Sequence, residues 1–318
     1  MTEPAPFFAE VADAPPNPQA IWLKTEDNVR IRIVAWRGGA RGTAFVFPGR
    51  TEYAEKYGPV ARRLLERGFS VVVIDWRGQG LSDRLGRTPL QGHVGDFREF
   101  QHDVQAMLKA ATDLELPANR ILVSHSMGGC IGYRALVEGH AFQAAMMAAP
   151  MWRLHLRSVL REARMKFISS LRVVGVRKPI SVVTTTEPGK ASRRFENNPL
   201  TSDPVRFAWA QAQVAAHPDL ALGPAAFSWT KAALVEMARL RFRPAPTLPI
   251  LVMVGSDERI VSPEAIRKRV RQVPNFTLLE LEGGSHELYQ EKDEIQDRVW
   301  AAFDGLIAEI DSAAPPEG

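Results

Sequence analysis

Short apolar runs that end in turn residues alternate with amphipathic stretches along most of this chain. Residues 30–36 alternate like a half-buried strand, and 43–47, 70–75, 120–124, 143–148, 250–254 and 277–281 read as strands too. Residues 56–68 place Tyr57, Val60, Leu64 and Leu65 at helical spacing and stop at Gly68. The same spacing predicts helices over 97–116, from 127 to about 139, over 263–273, and from about 293 to 310. Strands alternating with helices imply an α/β fold, a mostly parallel sheet with helices on both faces. The alternation stops between 151 and 243, where several helical patterns occur without strand–helix units. This predicts a core domain made of 1–150 and 244–318, with an inserted helical cap over 151–243. The first 18 residues, rich in Pro and Ala, read as an irregular arm.

The run Ile121 to Gly129 changes this from a fold to a chemistry. An apolar strand breaks into Ser124-His125-Ser126-Met127-Gly128-Gly129 and then a helix begins. A serine at the apex of such a turn is lifted from the sheet, with a helix N-terminus behind it. The usual pattern is Gly-x-Ser-x-Gly; Ser124 replaces the first glycine but is still small, as a crowded turn needs.

A serine hydroxyl is a weak nucleophile and needs a general base held by an acid. In a sheet of this kind the partners follow in the order acid, then histidine. The strand 250–254 runs into Ser256-Asp257-Glu258-Arg259, and the strand 277–281 runs into Gly283-Gly284-Ser285-His286. His286 is therefore the candidate base. Asp257 and Glu258 are adjacent, and spacing does not choose between them. His125, directly before the nucleophile, should point away from it in a supporting role. An oxyanion needs preorganised donors. The expected pair is the backbone N–H of Met127 and that of Arg50, in the loop Pro48-Gly49-Arg50-Thr51 after the strand 43–47. The reaction needs no metal or organic cofactor, and none is expected.

Composition narrows the setting. The chain has 318 residues, 45% hydrophobic and 24% charged, so it can bury a large core. Cys130 is the single cysteine, which leaves no disulfide framework or cysteine-based metal site. No basic, apolar leader and no apolar run of about 18 residues is present, so a cytoplasmic protein is expected. Net charge is +4, and no nucleic-acid module is recognisable. Arg77-Gly78-Gln79-Gly80 lacks the Gly-Lys-Ser/Thr ending of a phosphate loop, so strand-exit turns and ion pairs from Asp75 and Arg77 are expected there.

These segments resemble the serine-dependent α/β-hydrolases, and within them the monoacylglycerol lipase and bacterial lysophospholipase group. The resemblance rests on 47–57, 75–84, Gly92-His93-Val94, 124–129, Ser256-Asp257-Glu258-Arg259-Ile260-Val261 and Gly284-Ser285-His286-Glu287. Pro48-Gly49-Arg50 looks like the bacterial lysophospholipase form, and Leu-Thr-Ser-Asp-Pro (200–204) looks like that branch's cap. The resemblance implies an α/β-hydrolase fold. It places the acid just before Arg-Ile-Val, at Glu258, and implies a single-acyl-chain lipid substrate, a lysophospholipid or monoacylglycerol. A carboxylesterase or serine aminopeptidase acting on a small soluble substrate is the alternative within enzymes. A non-catalytic binding module is the alternative outside them.

Residues 152–176 interleave Arg153, Arg157, Arg161, Arg164, Lys166 and Arg172 with leucines and other apolar residues. Such a basic amphipathic stretch suits peripheral contact with an anionic inner-membrane surface, or packing of its apolar side on the core.

Overall fold

A computed structural model of the chain describes residues 3–155 and 194–313. Its sheet is ordered β1-β2-β3-β5-β4-β6-β7-β8-β9 among the described residues. The strands are β1 (Glu3–Pro4), β2 (Gln19–Lys24), β3 (Arg30–Trp36), β4 (Gly42–Phe47), β5 (Phe69–Asp75), β6 (Arg120–His125), β7 (Ala144–Ala148), β8 (Ile250–Gly255) and β9 (Phe276–Leu281). The pairings β1–β2, β2–β3 and β3–β5 are antiparallel, and every pairing from β5 across to β9 is parallel.

The period-two alternation of each strand sorts its side chains to two cores. Phe45, Phe47, Val72, Ile74, Leu122, Val252 and Val254 pack with residues of the helices Phe100–Asp113, Met127–Val137 and Pro263–Arg271. Ala44, Val46, Val71, Val73, Val123, Leu251 and Met253 pack with Val60 and Leu64 of the helix Gly58–Leu65 and with Val299, Trp300, Phe303 and Ile307 of the helix Asp293–Ala313. Burial on both faces explains why these strands are continuous apolar runs.

The N-terminal arm departs from the irregular segment expected. It forms β1 and a helical turn, Ala9–Ala12, and it is tied down. Trp36 Nε1 donates to the Pro15 carbonyl at 3.1 Å, and Trp209 Nε1 and Gln213 Nε2 donate to the Val11 carbonyl at 3.1 and 2.8 Å. Strand β2 went unread because Gln-Ala-Ile-Trp-Leu-Lys does not alternate cleanly.

Two buried charge clusters brace the loops at the C-terminal ends of the strands. Arg32, with no side-chain exposure, bridges Glu55 and Asp75 at 2.7 Å each. Asp75 also accepts from the backbone N–H groups of Ala54 and Leu81, both at 2.8 Å. The loop after β4 and the turn after β5 are thereby joined. Arg77 pairs with Asp27 at 2.5 Å and Asp103 at 2.8 Å.

Between β7 and β8 the described residues carry the helices Pro204–Ala216 and Phe227–Arg241. The first is capped by Asp203, whose carboxylate accepts from the N–H groups of Val205 and Arg206, with Pro204 in the first turn. Arg134 is buried against Glu236 of the second. The basic stretch expected over 152–176 lies outside the described residues from 156 onward. No described helix is long and apolar enough to cross a membrane.

Candidate active site

Ser126 sits between β6 and the helix Met127–Val137 with φ 50° and ψ −112°. A non-glycine residue held there is strained, and the surroundings over-determine it. Its N–H donates to the Ala148 carbonyl at 3.0 Å, and its own carbonyl accepts from Gly129 (3.0 Å) and Met151 (2.9 Å). The small residues expected here have a steric cause. A Cβ on Gly128 would lie 2.0 Å from the Phe47 carbonyl oxygen, and Ser124 is fully buried beside the turn.

His286 lies in the loop after β9, and Glu258 in the loop after β8. His286 Nε2 is 2.9 Å from Ser126 Oγ, and His286 Nδ1 is 2.7 Å from Glu258 Oε2. Glu258 Oε1 accepts from the N–H groups of Ile260 (2.6 Å) and Val261 (3.0 Å). Burial pushes the Glu258 carboxyl up, but the His286 charge and these hydrogen bonds outweigh it and leave it below the usual carboxylate range. Asp257 is exposed, and its backbone N–H donates to the Gly284 carbonyl. The structure thus brings Ser126, His286 and Glu258 into one hydrogen-bonded chain and leaves Asp257 outside it. This spacing suits passage of a hydroxyl proton to an imidazole whose far side faces a carboxylate.

The loop that carries one expected oxyanion donor runs beside the turn that carries the other. The segment 47–48 abuts the start of the Met127–Val137 helix, as the Gly128 contacts with Phe47 and Pro48 show. Among the described residues, neither the Arg50 N–H nor the Met127 N–H meets a protein acceptor.

Glu52 was not singled out from the sequence, yet it organises the back of the site. It is buried and accepts from the Gly49 N–H, from Tyr57 Oη (2.6 Å) and from Lys56 Nζ (3.1 Å). Its Oε2 is also 2.9 Å from His125 Nδ1. The other His125 nitrogen is 3.0 Å from the His286 carbonyl oxygen. Both partners of His125 only accept, so the ring satisfies both as an imidazolium. Burial works against that charge, but Glu52 and Glu287 overcome it and raise the pKa. His125 is held by Glu52 and the His286 carbonyl, in the supporting position expected, and joins the loop after β4 to the loop after β9. Lys56 completes the cluster with Glu287 at 2.7 Å. A Cβ on Gly49 would fall 2.7 Å from Glu52 Oε2 and 2.8 Å from His125 Nδ1, so only glycine lets the loop approach.

The Leu-Thr-Ser-Asp-Pro segment (200–204) also reaches the site. Glu291 accepts from the N–H groups of Ser202 (3.0 Å) and Ser285 (2.6 Å), and the Leu200 carbonyl accepts from the Glu287 N–H at 2.7 Å. The segment is thereby stitched to the loop that carries His286.

Comparison with known proteins agrees with this architecture. A family model described as Hydrolase_4, serine aminopeptidase S33, matches residues 38–293. A probable lysophospholipase L2 of Haemophilus influenzae is 24% identical over 304 residues, covering 94% of this chain and 93% of that protein. A monoacylglycerol lipase of Mycolicibacterium smegmatis is 26% identical over 272 residues, covering 84% and 89%. Among solved structures, a soluble variant of the monoglyceride lipase of Saccharomyces cerevisiae in complex with a substrate analogue superposes with a TM-score of 0.70. It is 18% identical and covers 96% of this chain and 99% of that one. The fold is that of the α/β-hydrolases.

Proposed function

This chain belongs to the Hydrolase_4 family, serine aminopeptidase S33, and is a serine ester hydrolase; from that premise we propose that Ser126, His286 and Glu258 carry the reaction. Ser126 Oγ attacks the ester carbonyl while His286 Nε2 takes its proton. Glu258 holds the imidazole in the tautomer that leaves Nε2 free to accept, and stabilises the imidazolium that forms. The backbone N–H groups of Arg50 and Met127 receive the oxyanion. The imidazolium then protonates the departing alkoxide, and an acyl-enzyme remains. Water, deprotonated by the same imidazole, attacks the acyl carbonyl and releases the acid and Ser126. The observation that carries this reading is the continuous chain of contacts, 2.9 Å from Ser126 to His286 and 2.7 Å from His286 to Glu258.

The substrate class is a single-acyl-chain lipid ester, a lysophospholipid or a monoacylglycerol, as the names of the relatives suggest. In this reading residues 1–150 and 244–318 form the catalytic core, and 151–243 form a cap that selects the substrate. The arginine-rich composition of 153–172 supports contact between that cap and an anionic membrane surface.

A fluorophosphonate probe should label the wild-type protein and fail to label Ser126→Ala. Equal labelling of the two removes Ser126 as nucleophile. Turnover of lysophospholipid or monoacylglycerol should exceed that of p-nitrophenyl acetate and amino-acid amides, and the reverse order assigns a soluble substrate.

A further inference from the structure

Among the described residues, three buried guanidinium groups are met by carboxylates. Arg32 faces Glu55 and Asp75, Arg77 faces Asp27 and Asp103, and Arg134 faces Glu236 and Glu138. Arg84, without such a pair, places one nitrogen 2.6 Å from both the Gly80 and Asp219 carbonyls. Arg50 likewise has no carboxylate partner among the described residues, and it has a buried nitrogen with no acceptor at all. One nitrogen donates to the Gly223 carbonyl at 2.6 Å and the group stands over the Trp229 ring at 5.3 Å. Its Nε is sealed from water with no acceptor, and no carboxylate pairs with it among the described residues. Burial with no compensating charge pulls its pKa down to about 10, which still leaves a cation at neutral pH. The residue as a whole keeps partial exposure.

A cation left without a counter-charge at a functional site calls for an anion from outside the chain. The position says which part of a substrate would bring it. The Arg50 backbone N–H is the proposed oxyanion donor, so the scissile carbonyl sits at the root of this side chain. The guanidinium lies at its far end, next to Gly92 and Leu222, where the loop after β5 meets the segment before the Phe227–Arg241 helix. In a lysophospholipid the phosphate is likewise separated from the acyl ester by the glycerol backbone. In a monoacylglycerol that position holds a neutral hydroxyl.

We propose that the Arg50 guanidinium binds the substrate phosphate, and that it makes the enzyme select lysophospholipid over monoacylglycerol. The inference rests on the reading of Ser126 as a nucleophile toward single-chain lipid esters. A charge-assisted pair of this kind supports discrimination of roughly tenfold or more.

The test compares kcat/KM for a lysophosphatidylglycerol and a monoacylglycerol of the same acyl chain, in wild type, Arg50→Met and Arg50→Lys. The neutral lipid reports any general damage to the oxyanion loop within the same variant. The expected result is a wild-type preference for the phospholipid that falls about tenfold or more in Arg50→Met, mostly through KM, and is partly restored in Arg50→Lys. Equal losses on the two lipids overturn the proposal and leave Arg50 as a tether to Gly223. A wild-type enzyme that cleaves both lipids without preference overturns it as well. Cleavage of neither lipid, with p-nitrophenyl esters still turned over, overturns the lipid reading on which it rests.

Discussion

Replacing Glu258 by glutamine tests the acid at atomic level, because the structure dictates how the new amide must sit. Glu258 Oε1 accepts two backbone N–H groups, from Ile260 and Val261, while Oε2 faces His286 Nδ1. The glutamine keeps its oxygen on the two N–H donors, so its NH2 faces His286. The imidazole must then accept at Nδ1 and carry its proton on Nε2, 2.9 Å from Ser126 Oγ. In that tautomer it has no lone pair to take the serine proton. Flipping the amide restores the tautomer but sets NH2 against two N–H groups. Each unsatisfied donor costs about 1–3 kcal/mol, so the flip costs about 2–6 kcal/mol. At about 1.4 kcal/mol per decade this predicts a kcat loss of roughly 30-fold to 10⁴-fold. The corresponding aspartate-to-asparagine change in an unrelated serine protease costs about 10⁴. Asp257→Asn alters an exposed side chain, and a change within about threefold is expected. The assay is steady-state hydrolysis of p-nitrophenyl butyrate at saturation, with thermal melting to confirm that each variant is folded. Retention of more than about a tenth of kcat by Glu258→Gln, or a larger loss in Asp257→Asn, refutes the reasoning.

Further perturbations probe the scaffold. Gly128→Ala drives a Cβ to 2.0 Å from the Phe47 carbonyl, backbone against backbone. It should slow fluorophosphonate labelling at least about tenfold and lower the melting temperature; wild-type labelling contradicts the packing argument. Arg32→Met leaves Glu55 and Asp75 buried without their cation, and urea unfolding should show a loss of about 3–5 kcal/mol. A loss under about 1 kcal/mol means the carboxylates find another partner. His125 has a folded-state pKa raised above its ordinary 6.5, so its protonation stabilises the fold fully below that value. The contribution fades as pH rises through the higher folded value. The stability gap between wild type and His125→Gln, measured by urea unfolding across this range, should narrow with rising pH. A gap that widens contradicts the imidazolium assignment.

The sequence determined most of the sheet by itself. A strand buried on both faces needs a continuous apolar run, and β4 through β8 announce themselves that way. The order of chemistry was legible for the same reason: Ser126, the Asp257–Glu258 pair and His286 each follow a strand in the segments that resemble the α/β-hydrolases. The arm was not legible, because its partners are tryptophan and glutamine side chains from distant segments, and β2 was not, because its residues do not alternate cleanly. Spacing left Asp257 and Glu258 open and the resemblance pointed to Glu258; the contact of Glu258 with His286 is a product of tertiary structure. Adjacent residues in a loop point in different directions, and only the path of the chain between β8 and the next helix turns Glu258 inward and Asp257 out. The Glu52–His125 link lay beyond the sequence for the same reason. It joins residues 73 positions apart, and then a backbone carbonyl a further 161 away, through contacts that exist only once the sheet has gathered its loops at one end.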